Sequence, residues 1–155
     1  MTRYLLDTSA LGKRYHSEPG SAGSAEIDAV FLKPGAIICI SGLTCIEIRS
    51  VFAIKVRSGA VTQPVAIGLR ARFASDIASG AIRVFGVEPE HYSVAEKLIE
   101  KYGFTCRLRT LDAIQLAVAL DLAGQGLIDQ FVVADKALAE VAAHEGLSVL
   151  DPAIQ

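Results

Sequence analysis

The stretch that decides the fold is Arg3-Tyr4-Leu5-Leu6-Asp7-Thr8-Ser9-Ala10-Leu11, close to the amino end of the chain. The apolar tripeptide before Asp7 is typical of a buried strand. Thr8 and Ser9 favour the N-cap of a helix, so a helix is predicted directly after the strand. Asp7 is therefore expected at the carboxyl end of a parallel strand, where open α/β sheets place their ligands. The alternative is that Asp7 only caps the helix, because acids are common in such turns.

The rest of the chain repeats this alternation of strand and helix signals. Apolar runs predict further strands at residues 36–40, 82–87, 131–134 and 147–150. Helices are predicted at residues 9–15, 21–32, 43–57, 62–79, 89–102, 110–122 and 136–145. This pattern indicates a parallel sheet that is covered on both faces. With 155 residues and no linker or repeat, the chain is expected to form a single domain, residues 1–155.

Composition limits the classes of function. Hydrophobic residues make up 52% of the chain and the net charge is −2, so there is ample core and no global basic field. Any contact with nucleic acid must therefore be local or assisted by cations. Cys39, Cys45 and Cys106 lack metal-like spacing and are expected to be reduced core residues. The absence of a signal-peptide pattern and of a long apolar run predicts a cytoplasmic protein with no membrane partner.

Two acids follow predicted strands in the same way. Asp135 comes directly after the strand at residues 131–134, as Asp7 follows the first strand. If these strands are parallel neighbours, both carboxylates emerge at one edge of the sheet. An N-cap role is again the alternative for Asp135.

A third acid, Glu47, lies within a predicted helix. The apolar positions Leu43, Ile46 and Ile54 predict an inward face, and Glu47 falls on or beside it. Burying an unpaired carboxylate costs several kcal/mol, so such an acid usually has a reason to be there. The alternative is an acid at the edge of this face that pairs with an arginine.

A fourth acid, Asp112, lies in the first turn of a helix that Thr110 is expected to cap. An acid there stabilises the helix dipole, which is a sufficient reason for its presence. Asp112 also flanks the predicted core stripe of this helix, which consists of Leu111, Ile114, Val118 and Leu122. Nearby, Arg107 and Arg109 could bind phosphates or simply solvate a loop.

Together these segments resemble a known family. Residues 7–11, 41–49, 108–117 and 131–138 are similar to the four acidic motifs of PIN domains, and most similar to the VapC-type toxins of toxin–antitoxin pairs. The resemblance implies a three-layer α/β/α sandwich around a central parallel sheet of about five strands. It further implies an endoribonuclease that depends on Mg²⁺ or Mn²⁺, is inhibited by a partner antitoxin and is often a homodimer.

The resemblance also assigns roles to the acids. Asp7 and Asp112 are expected to be the most direct metal ligands, while Glu47 and Asp135 bind through water or orient the attacking water. Clustered carboxylates suit Mg²⁺, which prefers oxygen ligands and keeps several waters. The chain departs from the family pattern at Val133, where Ser or Thr is common, and at Gln115, where His is common.

Two other functions remain open at this stage. A PIN-fold binding module without turnover would keep the fold and its partner surface. A phosphoacceptor signalling domain would use a carboxylate cluster but would leave Glu47 without a role. A dinucleotide-binding enzyme is disfavoured, because no glycine-rich turn follows the first strand.

The sequence finally predicts an exposed apolar surface. Two helices, residues 21–32 and 43–57, carry more apolar residues than one inward face requires. The additional residues are Val30, Phe31, Ile48 and Phe52. Exposed apolar patches commonly mark interfaces, so these residues are expected to contact a second copy or an antitoxin.

Overall fold

The computed structural model describes residues 1–154, in which five strands alternate with seven helices. The strands are β1 (Thr2–Leu6), β2 (Ala36–Ser41), β3 (Ile82–Phe85), β4 (Gln130–Val132) and β5 (Val149–Leu150). The helices are α1 (Thr8–Tyr15), α2 (Ser24–Leu32), α3 (Gly42–Arg57), α4 (Gln63–Ala78), α5 (Pro89–Tyr102), α6 (Thr110–Gly124) and α7 (Lys136–His144). Each predicted strand and helix is present, with ends that differ by a few residues.

The strands form one parallel sheet in the order β3-β2-β1-β4-β5. Strand β1 is central, and its Leu5 lies opposite Cys39 of β2 on one side and Phe131 of β4 on the other. Because all strands run in the same direction, their carboxyl ends share one edge of the sheet. The predicted parallel sheet of five strands is confirmed.

Helices cover both faces of the sheet. Leu5 belongs to a buried cluster with residues of α5, α6 and α7. Its neighbours Tyr4 and Leu6 point to the other face and pack with residues of α1, α2, α3 and α4. This alternation along β1 is the two-residue period of a strand that is buried on both sides. The predicted three-layer α/β/α architecture is therefore confirmed.

The buried face of α3 differs from the prediction. Thr44, Ile48 and Phe52 are buried, whereas Ile46 and Ile54 are 70% and 50% exposed. The expectation that Ile46 and Ile54 turn inward is wrong. Because α3 is apolar on several sides, its own periodicity does not determine which side faces the sheet.

The predicted apolar contact surface is also wrong. Val30, Ile48 and Phe52 are buried in the core, and Phe31 is half-buried beneath the Arg14 guanidinium, 4.4 Å from the ring centroid. These side chains pack within the chain because α1, α2, α3 and α4 together cover one face of the sheet. They cannot provide an exposed patch for a partner.

Helix α6 is buried on more sides than its predicted stripe requires. Val118 and Leu122 are buried as predicted, but Leu111 is 45% exposed. Gln115, which was expected only to flank the stripe, is buried. The helix packs against α5 and α7 as well as against the sheet, so a single apolar stripe underestimates its buried face.

Cys39 is a buried core thiol, while Cys45 and Cys106 are half-buried, and all three are free. Within residues 1–154, none of the helices combines the length and apolar character that crossing a membrane requires.

Candidate functional site

An open cavity of about 430 Å³ lies at the carboxyl edge of the sheet. The acids predicted from the sequence all line it: Asp7, Glu47, Asp112 and Asp135. They come from four separate segments of the chain, and the parallel sheet brings the two strand-end acids to the same edge. The structure therefore places these side chains around one space.

Asp7 is the most buried of these acids, with 5% of its surface exposed. Its carboxylate accepts hydrogen bonds from the Ala10 amide at 2.9 Å and from the Ser9 hydroxyl at 2.7 Å. Burial raises the pKa of Asp7 to about 7, although these hydrogen bonds lower it, and the nearby Asp112 charge raises it further. The cavity thus holds a carboxyl group whose ionisation is costly in the free protein.

Asp7 is also the N-cap of α1, so the prediction that Thr8 or Ser9 caps this helix is wrong. Strand β1 ends one residue before Asp7, and an aspartate caps as well as a serine does. The Ser9 hydroxyl instead joins two segments, because it donates to Asp7 and accepts the Ala134 amide at 3.2 Å. Ser9 therefore holds the ends of β1 and β4 together beside the cavity.

Asp112 and Asp135 lie nearer to solvent. Asp112 is half-buried and accepts the Arg109 amide at 3.2 Å. Burial raises the pKa of Asp112, the Arg109 amide opposes this, and the Asp135 charge raises the pKa further. Asp135 is the N-cap of α7 and accepts the Leu138 amide at 2.9 Å. Its predicted capping role and its place in the cavity are thus both observed.

The start of α6 differs from the prediction. Arg109, rather than Thr110, occupies the N-cap position of α6. Asp112 then satisfies the free Arg109 amide from within the first turn, which is half of the usual reciprocal capping arrangement. Arg109 also lines the cavity, whereas Arg107 is an exposed residue of the preceding loop.

Glu47 is held by neutral hydrogen-bond donors. Its Oε1 atom accepts the Thr8 hydroxyl at 2.9 Å and the Gln115 side-chain amide at 3.0 Å. This arrangement answers the alternative that Glu47 pairs with an arginine, because its hydrogen-bond donors are a hydroxyl and an amide. A carboxylate held in this way keeps its second oxygen for another partner.

Gln115 organises a network that the sequence analysis did not identify. It is 3% exposed, accepts the Ser41 hydroxyl at 2.6 Å, and donates to Thr44 Oγ1 at 2.6 Å and to Glu47. The network links α6 to the end of β2 and the first turn of α3. A weak signal was available: Gln115 stands where the family commonly has His, and Ser41 and Thr44 have the spacing of an N-cap.

This network leads to a stability prediction for Gln115→Ala. The change removes the shortest hydrogen bonds of the buried Ser41 and Thr44 hydroxyls and leaves them only longer contacts of 3.3–3.5 Å, so the free energy of unfolding should fall by about 1–3 kcal/mol. Urea titration measures this, with Gln125→Ala as the matched control. Gln125 lies at the end of the same helix, is exposed, and donates to Asp121 at 2.8 Å. Equal midpoints for the two variants would contradict the role of the network.

The cavity also has a basic side. Lys13, His16, Lys55 and Arg109 line it together with the acids. Lys13 and His16 come from α1 and the residue after it, and Lys55 comes from the last turns of α3. The wall of the space therefore carries basic side chains as well as carboxylates.

The acids suit a hard divalent cation that keeps part of its water shell. No three His, Cys, Asp or Glu side chains among the described residues are grouped closely enough to hold an ion by themselves. Mg²⁺, however, usually takes only one or two carboxylates and completes its shell with water and substrate phosphate. The donors are all oxygen atoms, and the mutual charge effects of Asp7, Asp112 and Asp135 are what a bound cation would relieve.

Comparison with known proteins gives one family and several similar structures. The family model of the PIN domain matches residues 4–150. The sarcin–ricin-loop-cleaving toxin VapC20 of Mycobacterium tuberculosis is 17% identical, with a TM-score of 0.65 over 96% of this chain and 99% of that one. VapBC2 of Rickettsia felis, bound to a promoter DNA fragment, is 11% identical, with a TM-score of 0.63 over 97% and 98%.

A third structure, FitAB bound to the IR36 DNA fragment, is 15% identical, with a TM-score of 0.58 over 98% of this chain and 96% of that one. At these identities the likeness shows a common fold over nearly the full length of both chains. None of the curated protein sequences matches this chain significantly.

Proposed function

The chain belongs to the PIN domain family, and on that premise we propose that it is an endoribonuclease that depends on Mg²⁺ or Mn²⁺ and acts as the toxin of a toxin–antitoxin pair. The observation that carries this proposal is the burial of the Asp7 carboxyl in a cavity that Glu47, Asp112 and Asp135 also line. A protein does not gain stability from such a group, since burial disfavours its charged form. A bound cation would favour the charged form of Asp7, which explains why a carboxyl group is buried there.

Each acid has a proposed role. Asp7 and Asp112 would hold the cation directly, and Glu47 and Asp135 would act through water. A bound Mg²⁺ or Mn²⁺ would polarise the scissile phosphate and lower the pKa of an attacking water. The chain's own contribution is orientation: Ser9 and the Ala10 amide fix the Asp7 carboxylate, and Thr8 and Gln115 fix Glu47.

The proposed partners are RNA, a cognate antitoxin and a second copy of the chain. VapBC2 and FitAB are toxin–antitoxin complexes, and their similar fold supports an antitoxin partner for this chain. Because the predicted apolar patch is buried, no contact surface is assigned to either protein partner. Coexpression with a small protein encoded by a neighbouring gene tests this partner, and cleavage that is unaffected by every such protein would remove the toxin role.

The cleavage activity itself is tested with purified protein and single-stranded RNA. We expect Mg²⁺-dependent internal cleavage, and mapping of total cellular RNA after expression without a partner should show discrete sites. A binding module that lacks turnover would bind RNA or a partner and leave the RNA intact. A phosphoacceptor domain would instead take up a phosphoryl group at Asp7 from a small donor, and detection of this adduct without RNA cleavage would overturn the proposal.

A further inference from the structure

The basic part of the cavity wall has no role in the function proposed so far. Lys55 lies near the end of α3, and His16 lies just after α1, at the start of an exposed segment, residues 17–22. Both residues line the same cavity as the acids. A cation-bearing wall beside an acidic site suggests a place for an anion that is adjacent to the reacting group.

His16 shows a sign of a missing ligand. Its Nδ1 atom is buried and has no hydrogen-bond partner in the described part of the chain. An unsatisfied buried polar atom is destabilising, so native structures usually pair it with protein, water or a ligand. His16 lines the cavity, and a turn of its imidazole ring would bring the buried Nδ1 atom to a polar group bound there.

A carboxylate already lies beside Lys55 and His16. Glu18 Oε1 lies 3.0 Å from Lys55 Nζ, and the two side chains are 61% and 14% exposed. Lys55, through its hydrogen bond and charge, lowers the pKa of Glu18, and His16 adds to this effect. Lys55 and His16 thus act together on one anionic group. Because Glu18 is largely exposed, its ion pair contributes little to stability, and the carboxylate is easily exchanged.

The segment that carries Glu18 makes close contacts at its carboxyl end, residues 21–23. Lys13 Nζ donates to Ser21 Oγ at 3.0 Å and to the Ala22 carbonyl at 2.6 Å. Gly23 has φ +98°, and a Cβ there would lie 2.9 Å from the Pro152 carbonyl oxygen. Residues 21–23 are therefore in contact with α1 and with Pro152. Glu18 lies between α1 and these residues, so its side chain can exchange partners while both ends of the segment keep their contacts.

We propose that Lys55 and His16 form a subsite for a second RNA phosphate, and that the incoming RNA displaces the Glu18 carboxylate from it. This inference rests on the proposed ribonuclease function, because RNA is the ligand that brings several phosphates on one chain. One phosphate would lie at the carboxylates, and a neighbouring phosphate binds Lys55 and, after a turn of the imidazole ring, His16. The subsite explains how a chain of net charge −2 holds a polyanion at an acidic cavity.

The test measures binding separately from cleavage. The dissociation constant of a fluorescein-labelled single-stranded RNA decamer is measured in EDTA, with a gel to check that the RNA is intact. Lys55→Met should raise the dissociation constant about tenfold. It should also reduce the slope of the logarithm of this constant against the logarithm of the salt concentration by about 0.7, as expected for one lost phosphate contact. The control is Lys101→Met, which removes a cation from an ion pair of similar length, with Glu145 at 2.8 Å, outside the cavity. It should change the constant by less than twofold.

A second variant tests the displacement of Glu18. Glu18→Gln should lower the dissociation constant several-fold, because RNA no longer competes with a carboxylate. In the Lys55→Met background the same change should have a much smaller effect, since the shared contact is already lost. Equal effects of Lys55→Met and Lys101→Met, or a Glu18→Gln constant equal to that of the wild type, would overturn the subsite.

The outcomes separate the subsite from the proposed function. RNA that stays intact in Mg²⁺ with wild-type protein removes the ribonuclease function, while the binding constants still decide the subsite. Normal cleavage with an unchanged constant for Lys55→Met removes the subsite alone. A Lys55→Met variant that binds RNA normally but loses a partner protein would show that the wall serves that partner, which also overturns the proposal.

Discussion

Asp7→Asn is expected to lower RNA cleavage at least ~100-fold without unfolding the protein. Changes to groups that merely support metal ligands cost 10- to 100-fold, so loss of a direct ligand should cost no less. Asparagine keeps an oxygen that can accept the Ala10 amide, so the cap of α1 survives. The measurement is the single-turnover cleavage rate of a labelled RNA in saturating Mg²⁺.

The matched control for this variant is Asp28→Asn. Asp28 forms an exposed ion pair with Arg14 at 3.0 Å on α2, away from the cavity. Its rate should stay within about twofold of the wild-type rate, because exposed pairs contribute little. An Asp7→Asn variant that cleaves as fast as Asp28→Asn would remove Asp7 from the proposed site.

The same substitution is expected to stabilise the metal-free protein at high pH. The native pKa of Asp7 is about 7, whereas an unfolded aspartate ionises near pH 4. The native state therefore binds more protons between these values, and the free energy of unfolding falls as the pH rises from about 4 to about 7. The asparagine side chain does not titrate, so the variant avoids this decrease in the free energy of unfolding, which reaches roughly 3–4 kcal/mol at pH 8.

Thermal melts in EDTA at pH 5 and pH 8 measure this effect. The Tm advantage of Asp7→Asn should be on the order of 10 °C at pH 8 and clearly smaller at pH 5. Asp112→Asn should also raise the Tm in EDTA, but by a smaller amount, because Asp112 is only half-buried. Added Mg²⁺ should stabilise the wild type more than either variant, since it binds the native site preferentially. If the Tm difference between Asp7→Asn and the wild type does not change with pH, or if Asp7→Asn is the less stable protein at pH 8, burial does not raise the cost of ionising Asp7.

The sequence predicted the order of elements because its signals are local. Apolar runs bounded by glycine and polar turns mark the strands, and these positions agree with β1 to β5 to within a few residues. The position of Asp7 and Asp135 followed from the same information, since parallel strands end at one edge. Placing Asp112 and Glu47 in the same cavity depended on the family resemblance, because both lie on helices whose docking is a tertiary property.

The errors also have physical reasons. In α3 the apolar residues lie on several sides, so Ile46 and Phe52 were equally plausible core residues until the packing of α4 was known. The network around Gln115 joins residues that are up to 107 positions apart, and no local pattern reveals such contacts. Buried polar side chains of this kind are found only once their partners are in place.

The Mg²⁺ dependence of RNA cleavage tests the central claim most directly. The wild-type protein is stripped with EDTA, and the cleavage rate of one labelled single-stranded RNA is then measured as Mg²⁺ is added back. The proposed site predicts no cleavage in EDTA, a saturable recovery with Mg²⁺ or Mn²⁺, and almost no recovery for Asp7→Asn at any concentration. Cleavage that continues undiminished in excess EDTA, or a recovery curve for Asp7→Asn that matches the wild type, would contradict a cation held by these carboxylates.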